Sequence, residues 1–156
     1  MRPGRVMKEL GKALGITPEK IVEIYSIEKY DMSPDRVEAI LSGKEDATYE
    51  ELGIFLDALI AYKRGDSPKK PSDDEDIVLD SNLILKKIRV ALSLRDMDMT
   101  TIFELADVEM GRSMLRDIFR SPSHPKYREC PDSLLASFLE GLYEFLYDPQ
   151  SDRQVF

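Results

Sequence analysis

The sequence predicts an all-α fold of two tandem four-helix units, helix-turn-helix-like in outline, packed with pseudo-twofold symmetry. Three observations predict it. One apolar pattern occurs twice along the chain, helix-starting residues precede helical apolar stripes, and no stretch shows the alternation typical of a strand. Apolar residues make up 42% of the 156 residues. A unit of roughly 65 residues is marginal alone, so we expect the two units to share one core.

The repeat appears when the chain is shifted by 78 residues, which aligns Val6-Met7-Lys8 with Ile84-Leu85-Lys86. Only six of the 36 positions from Val6 to Leu41 are identical, but the apolar positions coincide almost throughout. Beyond that point a shift of 83 continues the alignment. It superposes Leu52, Phe55, Leu56 and Leu59 on Leu135, Phe138, Leu139 and Leu142. The second copy therefore has about five extra residues between Arg120 and Pro131, because the shift grows from 78 to 83.

Helix starts are predicted where a hydroxyl side chain precedes proline and a carboxylate, at Thr17 and at Ser33. Thr48 and Glu51 match a capping box ahead of an apolar stripe, and Gly15 and Gly43 stand where helices end. We expect four helices per copy. The predicted divisions are a first repeat at 1–64, an acidic Pro/Ser linker at 65–81, a second repeat at 82–148 and a tail at 149–156.

Composition excludes several classes of protein. Lys and Arg number 22 against 30 Asp and Glu, a net charge of −8, which argues against a dedicated cationic nucleic-acid or membrane binder. One Cys and one His exclude a disulfide framework and Cys-based or His-rich metal sites. The N-terminus lacks the apolar stretch of a signal peptide, and the longest apolar runs are too short to span a bilayer. We expect a cytoplasmic protein with no cofactor and no metal.

The second copy resembles a known family. Ile84 to Leu94 and Ile102 to Ala106 are similar to the YehS-like family of small bacterial proteins, and Tyr127 to Asp132 resembles its most distinctive segment. The resemblance implies two tandem helical copies joined by a polar linker, and it supplies no chemistry because the family is of unknown function. The first copy departs from the pattern: it has no Cys-x-Asp step, and its Leu56-Asp57-Ala58-Leu59 replaces the family's Leu-x-Gly-Leu.

The strongest candidate site is basic. In the first copy the second helix of the helix-turn-helix outline presents Asp35 and Glu38, which would repel phosphate. The second copy instead has Arg112, Arg116 and Arg120 at i, i+4 and i+8, a spacing that places three guanidinium groups on one helix face. Its further candidate binding residues are His124, Lys126, Tyr127 and Arg128. From Gly111 to Arg128 there are five basic residues and one acid, Asp117.

Several readings of this basic stretch stay open. The arginines could form a solvated face, pair with acids of the first copy or of the linker, or contact another subunit. They could also bind a polyanion such as nucleic acid, or an acidic protein.

The insertion also holds the only His and the only Cys, His124 and Cys130, which raises a Cys–His nucleophilic pair as a minor alternative. Nothing orients such a pair, two ligands are too few for a metal, and no phosphate-binding motif occurs. A satisfied loop histidine and a half-buried thiol are expected instead. The sequence favours a non-enzymatic helical adaptor or regulatory module that binds a protein partner or itself. The alternative is weak nucleic-acid or polyanion binding through the Arg-rich face.

Overall fold

A computed structural model describes residues 1–65 and 79–154, and within these residues helices are the predominant secondary structure. The all-α prediction is therefore confirmed. The eight helices of the described residues are α1 Pro3–Leu14, α2 Pro18–Ile27, α3 Pro34–Leu41, α4 Tyr49–Arg64, α5 Ser81–Leu92, α6 Asp96–Leu105, α7 Arg112–Ile118 and α8 Asp132–Leu146. One short antiparallel pair, β1 Tyr147–Asp148 with β2 Arg153–Gln154, was not predicted. Most of the predicted linker, residues 66–78, lies outside the described residues.

The helix starts of the first half follow their predicted signals. Thr17 and Ser33 accept hydrogen bonds from the backbone amides of Lys20 and Arg36, and proline opens each helix. At α4 the Thr48 hydroxyl accepts from the Glu51 amide (3.0 Å), and the Glu51 carboxylate accepts from the Thr48 amide (2.8 Å). These side chains replace partners that the first turn of a helix otherwise lacks. The capping box is confirmed.

The boundaries of the helices repeat along the chain. The helices α5 and α6 begin and end 78 residues after α1 and α2, and α8 begins 83 residues after α4. The left-handed backbone that ends α1 at Gly15 (φ 65°) occurs at Ser93 (φ 52°) after α5. The turn after α2 and the turn after α6 each contain a second such residue, Lys29 (φ 57°) and Asp107 (φ 60°).

Buried apolar residues of both halves form one hydrophobic core. The helix α1 packs against α8, and α4 packs against α5, so each half contributes its first and fourth helices to the contact between them. Polar contacts join the same elements: Lys87 of α5 forms an ion pair with Asp57 of α4. In the tail, the Gln154 amide donates to the carbonyls of Ala13 in α1 (2.6 Å) and Tyr143 in α8 (3.0 Å). In the second half, α7 packs against α6.

Candidate anion-binding surface

The helix α7 is short, and its two sides differ in chemistry. Leu115 and Ile118 are buried in the core, while Arg112 and Arg116 are exposed. The two arginines are four residues apart, so their side chains share one face of the helix, about 6 Å apart along its axis. The structure therefore brings these two guanidinium groups together as predicted.

The third arginine does not continue this face, which corrects the predicted i, i+4, i+8 array. α7 ends at Ile118, and Arg120 lies beyond it. After α7 the backbone hydrogen bonds span three residues instead of four. The Phe119 amide donates to the Arg116 carbonyl, and the Arg120 amide donates to the Asp117 carbonyl. Pro122 lies just after this turn. It disfavours helical backbone at the residue before it and has no amide hydrogen to extend the helix.

Arg120 is engaged within the loop instead of pointing to solvent with the other two. Its Nε donates to Asp117 Oδ1 (2.9 Å), and one of its terminal nitrogens lies 3.3 Å from His124 Nε2. The hydrogen bond from Arg120 is the main reason that the pKa of the Asp117 carboxyl is lowered. The only acid of the basic stretch is thus neutralised locally by Arg120.

The remaining candidate residues lie on the loop that follows. Lys126 and Arg128 are exposed, as is His124, whose Nδ1 accepts from the Lys126 backbone amide at 3.0 Å. Tyr127 is half-buried, and that burial is the main cause of the raised pKa of its phenol. The Arg128 amide donates to the Asp117 carbonyl (3.1 Å), which ties the loop back to α7. We define the basic strip as the exposed cations Arg112, Arg116, Lys126 and Arg128.

A buried amide that sequence reasoning missed holds this loop in place. Asn82, near the start of α5, is 8% exposed. Its Nδ2 donates to the carbonyls of Ile118 (3.0 Å) and Arg128 (2.9 Å), and its Oδ1 accepts from the Cys130 amide (2.8 Å). A buried amide with its hydrogen-bonding groups engaged in this way rigidifies what it contacts. The sequence signal was available, because the repeat aligns Asn82 with Gly4, a residue with no side chain.

Cys130 and His124 do not form a pair. Cys130 is 4% exposed, so the thiol is buried rather than half-buried as predicted. Its Sγ contacts the Pro131 carbonyl, whereas the hydrogen bonds of the His124 ring go to Arg120 and Lys126. Burial, with added repulsion from Asp132, raises the pKa of the Cys130 thiol to about 11. The thiolate that a nucleophile requires is therefore disfavoured near neutral pH.

The basic strip differs in its pairing from several other cations of the described residues. Arg36, Lys87, Arg89 and Arg120 each form an ion pair with a carboxylate. Within residues 1–65 and 79–154, no carboxylate pairs within 4.0 Å with any cation of the basic strip. Pairing of Arg112 and Arg116 with acids of the first copy, one of the open alternatives, is therefore not seen in that part of the chain. The acidic run of the linker, Asp73 to Asp76, lies outside the described residues.

The corresponding helix of the first half presents the opposite charge. Asp35 and Glu38 of α3 are exposed, as the sequence predicts. The only arginine of α3, Arg36, is held by Glu51 and Glu45. Of the two helices that the sequence repeat aligns, only α7 has an exposed cationic face.

The described residues contain no group of three or more His, Cys, Asp or Glu side chains that could hold a metal ion. No helix of the described segments has the length and apolar character needed to cross a bilayer.

Comparison with known proteins agrees with the sequence resemblance. Residues 81–145 match the family model described as "Protein of unknown function (DUF1456)". The chain is similar to Uncharacterized protein YehS of Escherichia coli (strain K12), with 25% identity over 142 residues that cover 88% of this chain and 91% of the relative. No solved structure matches. The matched segment contains α7, the loop after it and Asn82, so the whole candidate surface lies within the family region.

Proposed function

On the premise that this chain is a YehS-like protein of unknown function, we propose that it is a non-enzymatic binding protein whose basic strip binds the phosphate chain of nucleic acid. The observation that supports this is the pairing difference. The four cations of the strip are exposed and have no ion-pair partner in the described residues, whereas Arg36, Lys87 and Arg89 are paired. Such cations can contact phosphate without first losing a protein carboxylate.

The geometry suits a chain of phosphates. Arg112 and Arg116 are one helical turn apart, and each guanidinium can bind two phosphate oxygens at once. Asn82 fixes the position of the loop that carries Lys126 and Arg128 relative to the end of α7. The overall charge of −8 opposes binding elsewhere, so we expect weak, local and strongly salt-dependent affinity.

Fluorescence anisotropy with labelled single-stranded and double-stranded oligonucleotides tests this proposal. Four phosphate contacts predict that log K falls with log salt with a slope of about −3 to −4. The variant Arg112→Glu/Arg116→Glu should lose binding. A matched control is Lys29→Glu/Lys86→Glu, which changes the charge by the same amount at two exposed residues outside the strip.

Single substitutions refine the test. Arg116→Gln should weaken binding more than Arg120→Gln, because Arg120 is engaged by Asp117. Absence of wild-type binding at about 50 mM salt would contradict the proposal, as would equal loss of binding in the control variant.

A helical adaptor that binds a protein partner or itself is the second candidate, and one observation favours it. On α6, the apolar side chains of Met97 (66% exposed) and Leu105 (48% exposed) are unusually accessible. Exposed apolar side chains of this kind occur at protein interfaces. Sedimentation of the wild type and of Met97→Lys/Leu105→Lys would show concentration-dependent association only in the wild type. A strictly monomeric wild type excludes self-association through α6.

We also propose that the protein is cytoplasmic and that α1–α4 and α5–α8 are two units related by a pseudo-twofold axis. The repeated helix boundaries support the pseudo-twofold relation. So does the packing, because exchanging the two halves converts the contact of α1 with α8 into that of α5 with α4. In an experimental structure, the second unit should superpose on the first with the 78 and 83 residue offsets. Cell fractionation tests the location.

A further inference from the structure

A second basic surface lies in the first half of the chain. A groove of about 330 Å³ separates the start of α1 from the connection between α3 and α4. One wall carries Arg2, Arg5 and Lys8, and the other contains Gly43 and Asp46. Its volume is close to that of the smallest ligand pockets of proteins.

The cations of the groove are unpaired in the described residues. Arg2, Arg5 and Lys8 are exposed, and no ion pair involves any of them within residues 1–65 and 79–154. Arg5 and Lys8 are three residues apart on one side of α1, and Arg2 directly precedes the helix, so all three line the same groove. Gly43 has a left-handed backbone (φ 80°), and Lys8 Nζ lies 4.0 Å from the place that a Cβ would occupy there. The Lys8 ammonium therefore reaches across the groove.

Two of the three acids in the lining are already engaged. Asp46 Oδ1 accepts from the backbone amides of Gly4 (2.8 Å) and Ala47 (2.9 Å), and Glu45 accepts from Arg36 (2.6 Å). Glu9, on α1, is the third acid. Arg36 balances Glu45, whereas Asp46 accepts only from neutral amides and keeps its charge. The three cations Arg2, Arg5 and Lys8 therefore face two carboxylates, Glu9 and Asp46, which leaves a net charge of about +1 at the groove.

We propose that this groove binds the phosphate group of a small phosphate ester or polyphosphate. Two flexible guanidinium groups and an ammonium on one wall match the chemistry of phosphate recognition, in which arginine binds bidentately and lysine acts as a point charge. The groove shares no residue with the basic strip, so the proposal is independent of the proposed function. Its failure and that of the basic strip are separable by their variants.

Nuclear magnetic resonance of the full chain labelled with ¹⁵N tests it, with pyrophosphate as the probe at constant ionic strength. Amide shifts should concentrate at Arg5, Lys8 and Gly43 and should saturate with Kd of about 1 mM or below. Arg5→Glu/Lys8→Glu should weaken binding at least about tenfold. The variant Lys86→Glu, at the exposed position that the repeat aligns with Lys8, should leave the shifts unchanged. Arg112→Glu/Arg116→Glu should also leave them unchanged.

A short oligonucleotide without terminal phosphate, used as a second probe, identifies the source of the phosphate. Shifts at the same amides with pyrophosphate but not with the oligonucleotide indicate a small phosphate ligand, and shifts with both indicate a phosphodiester chain as well. The proposal is overturned if pyrophosphate does not shift these amides, or if the shifts persist in Arg5→Glu/Lys8→Glu. Shifts spread evenly over all exposed lysines would overturn it as well.

Discussion

Beside the core of the first half, Tyr25 of α2, Arg36 of α3 and Glu51 of α4 form a polar network. The Tyr25 hydroxyl donates to the Glu51 carbonyl (2.7 Å), and the Arg36 guanidinium donates twice to the Glu51 carboxylate (2.9 and 3.1 Å). The aligned residues of the second half are Phe103, Met114 and Leu134, all apolar. The aligned positions thus hold an ion pair in the first half and apolar side chains in the second.

This difference shows that the apolar pattern of the repeat does not determine whether these three positions hold polar or apolar side chains. A buried ion pair and well-packed apolar side chains of similar volume can give comparable stability, because charge attraction is offset by the cost of desolvation. The contact between the second and fourth helices differs too. It is closer in the second half, where Gly141 of α8 faces α6, than in the first half, where Ala58 is the aligned residue of α4.

The largest effect is expected from Gly141→Ala. A Cβ at Gly141 would lie 1.9 Å from the backbone oxygen of Ile102, so α6 and α8 must separate. Overpacking of this kind should lower the free energy of unfolding by about 3 kcal/mol. The matched control Ala58→Gly should cost less, about 2 kcal/mol, from the helix propensity difference and the loss of one buried methyl group. Urea denaturation measures both, and a harmless Gly141→Ala would show that the two contacts are equally close.

The next effect concerns the network. Arg36→Met alone should cost about 2 kcal/mol, because it leaves the partly buried Glu51 carboxylate without its cation. Glu51→Leu should cost a similar amount, because it removes the acceptor of the Thr48 amide in the capping box while Arg36 keeps Glu45. The double variant reproduces the apolar residues of the second half and should recover to within about 1 kcal/mol of the wild type. A double-mutant cycle by chemical denaturation gives the coupling. Additive losses would mean that apolar side chains cannot replace the ion pair in the first half without loss of stability.

A smaller effect is expected at acid pH. Burial alone would raise the pKa of the Glu51 carboxyl, but hydrogen bonds from Arg36 and Thr48 outweigh it, and the pKa is below its ordinary value of 4.5. As the pH falls, the Glu51 carboxyl is therefore protonated in the unfolded chain before it is protonated in the folded protein. The contribution of Glu51 to the free energy of unfolding is present above pH 4.5 and is lost as the pH falls through the folded-state pKa. The free energy of unfolding of Arg36→Met/Glu51→Leu should decline less between pH 5 and pH 3 than that of the wild type. Parallel declines would contradict this role of Glu51.

The smallest effect is expected where α1 and α5 end. Ser93 has a left-handed backbone (φ 52°) that glycine adopts without strain. Ser93→Gly should therefore stabilise the protein by about 0.5–1 kcal/mol. The reverse change in the first half, Gly15→Ser, should destabilise it, because a Cβ there would also lie 2.6 Å from Gln154 Cβ. Thermal unfolding compares the two variants, and a lower melting temperature for Ser93→Gly would refute the expectation.

Sequence reasoning was accurate where the structure depends on nearby residues. The caps at Thr17, Ser33 and Thr48 and the count of eight helices in the described residues follow from local hydrogen bonding and apolar periodicity. It failed at Arg120, because a periodic spacing of arginines does not reveal that a helix ends at Ile118. It also missed Asn82, whose three partners lie 36 to 48 residues further along the chain.

By itself, then, the sequence determined the helical class, the offsets of 78 and 83 and the excess of cations between Arg112 and Arg128, because these are properties of short stretches and of composition. Only the tertiary structure decided which of those cations are unpaired. It also decided that Cys130 is buried and that Lys8 lies opposite Gly43. Pairing and burial depend on which distant segments meet, and the packing of α1 on α8 and of α4 on α5 sets those meetings.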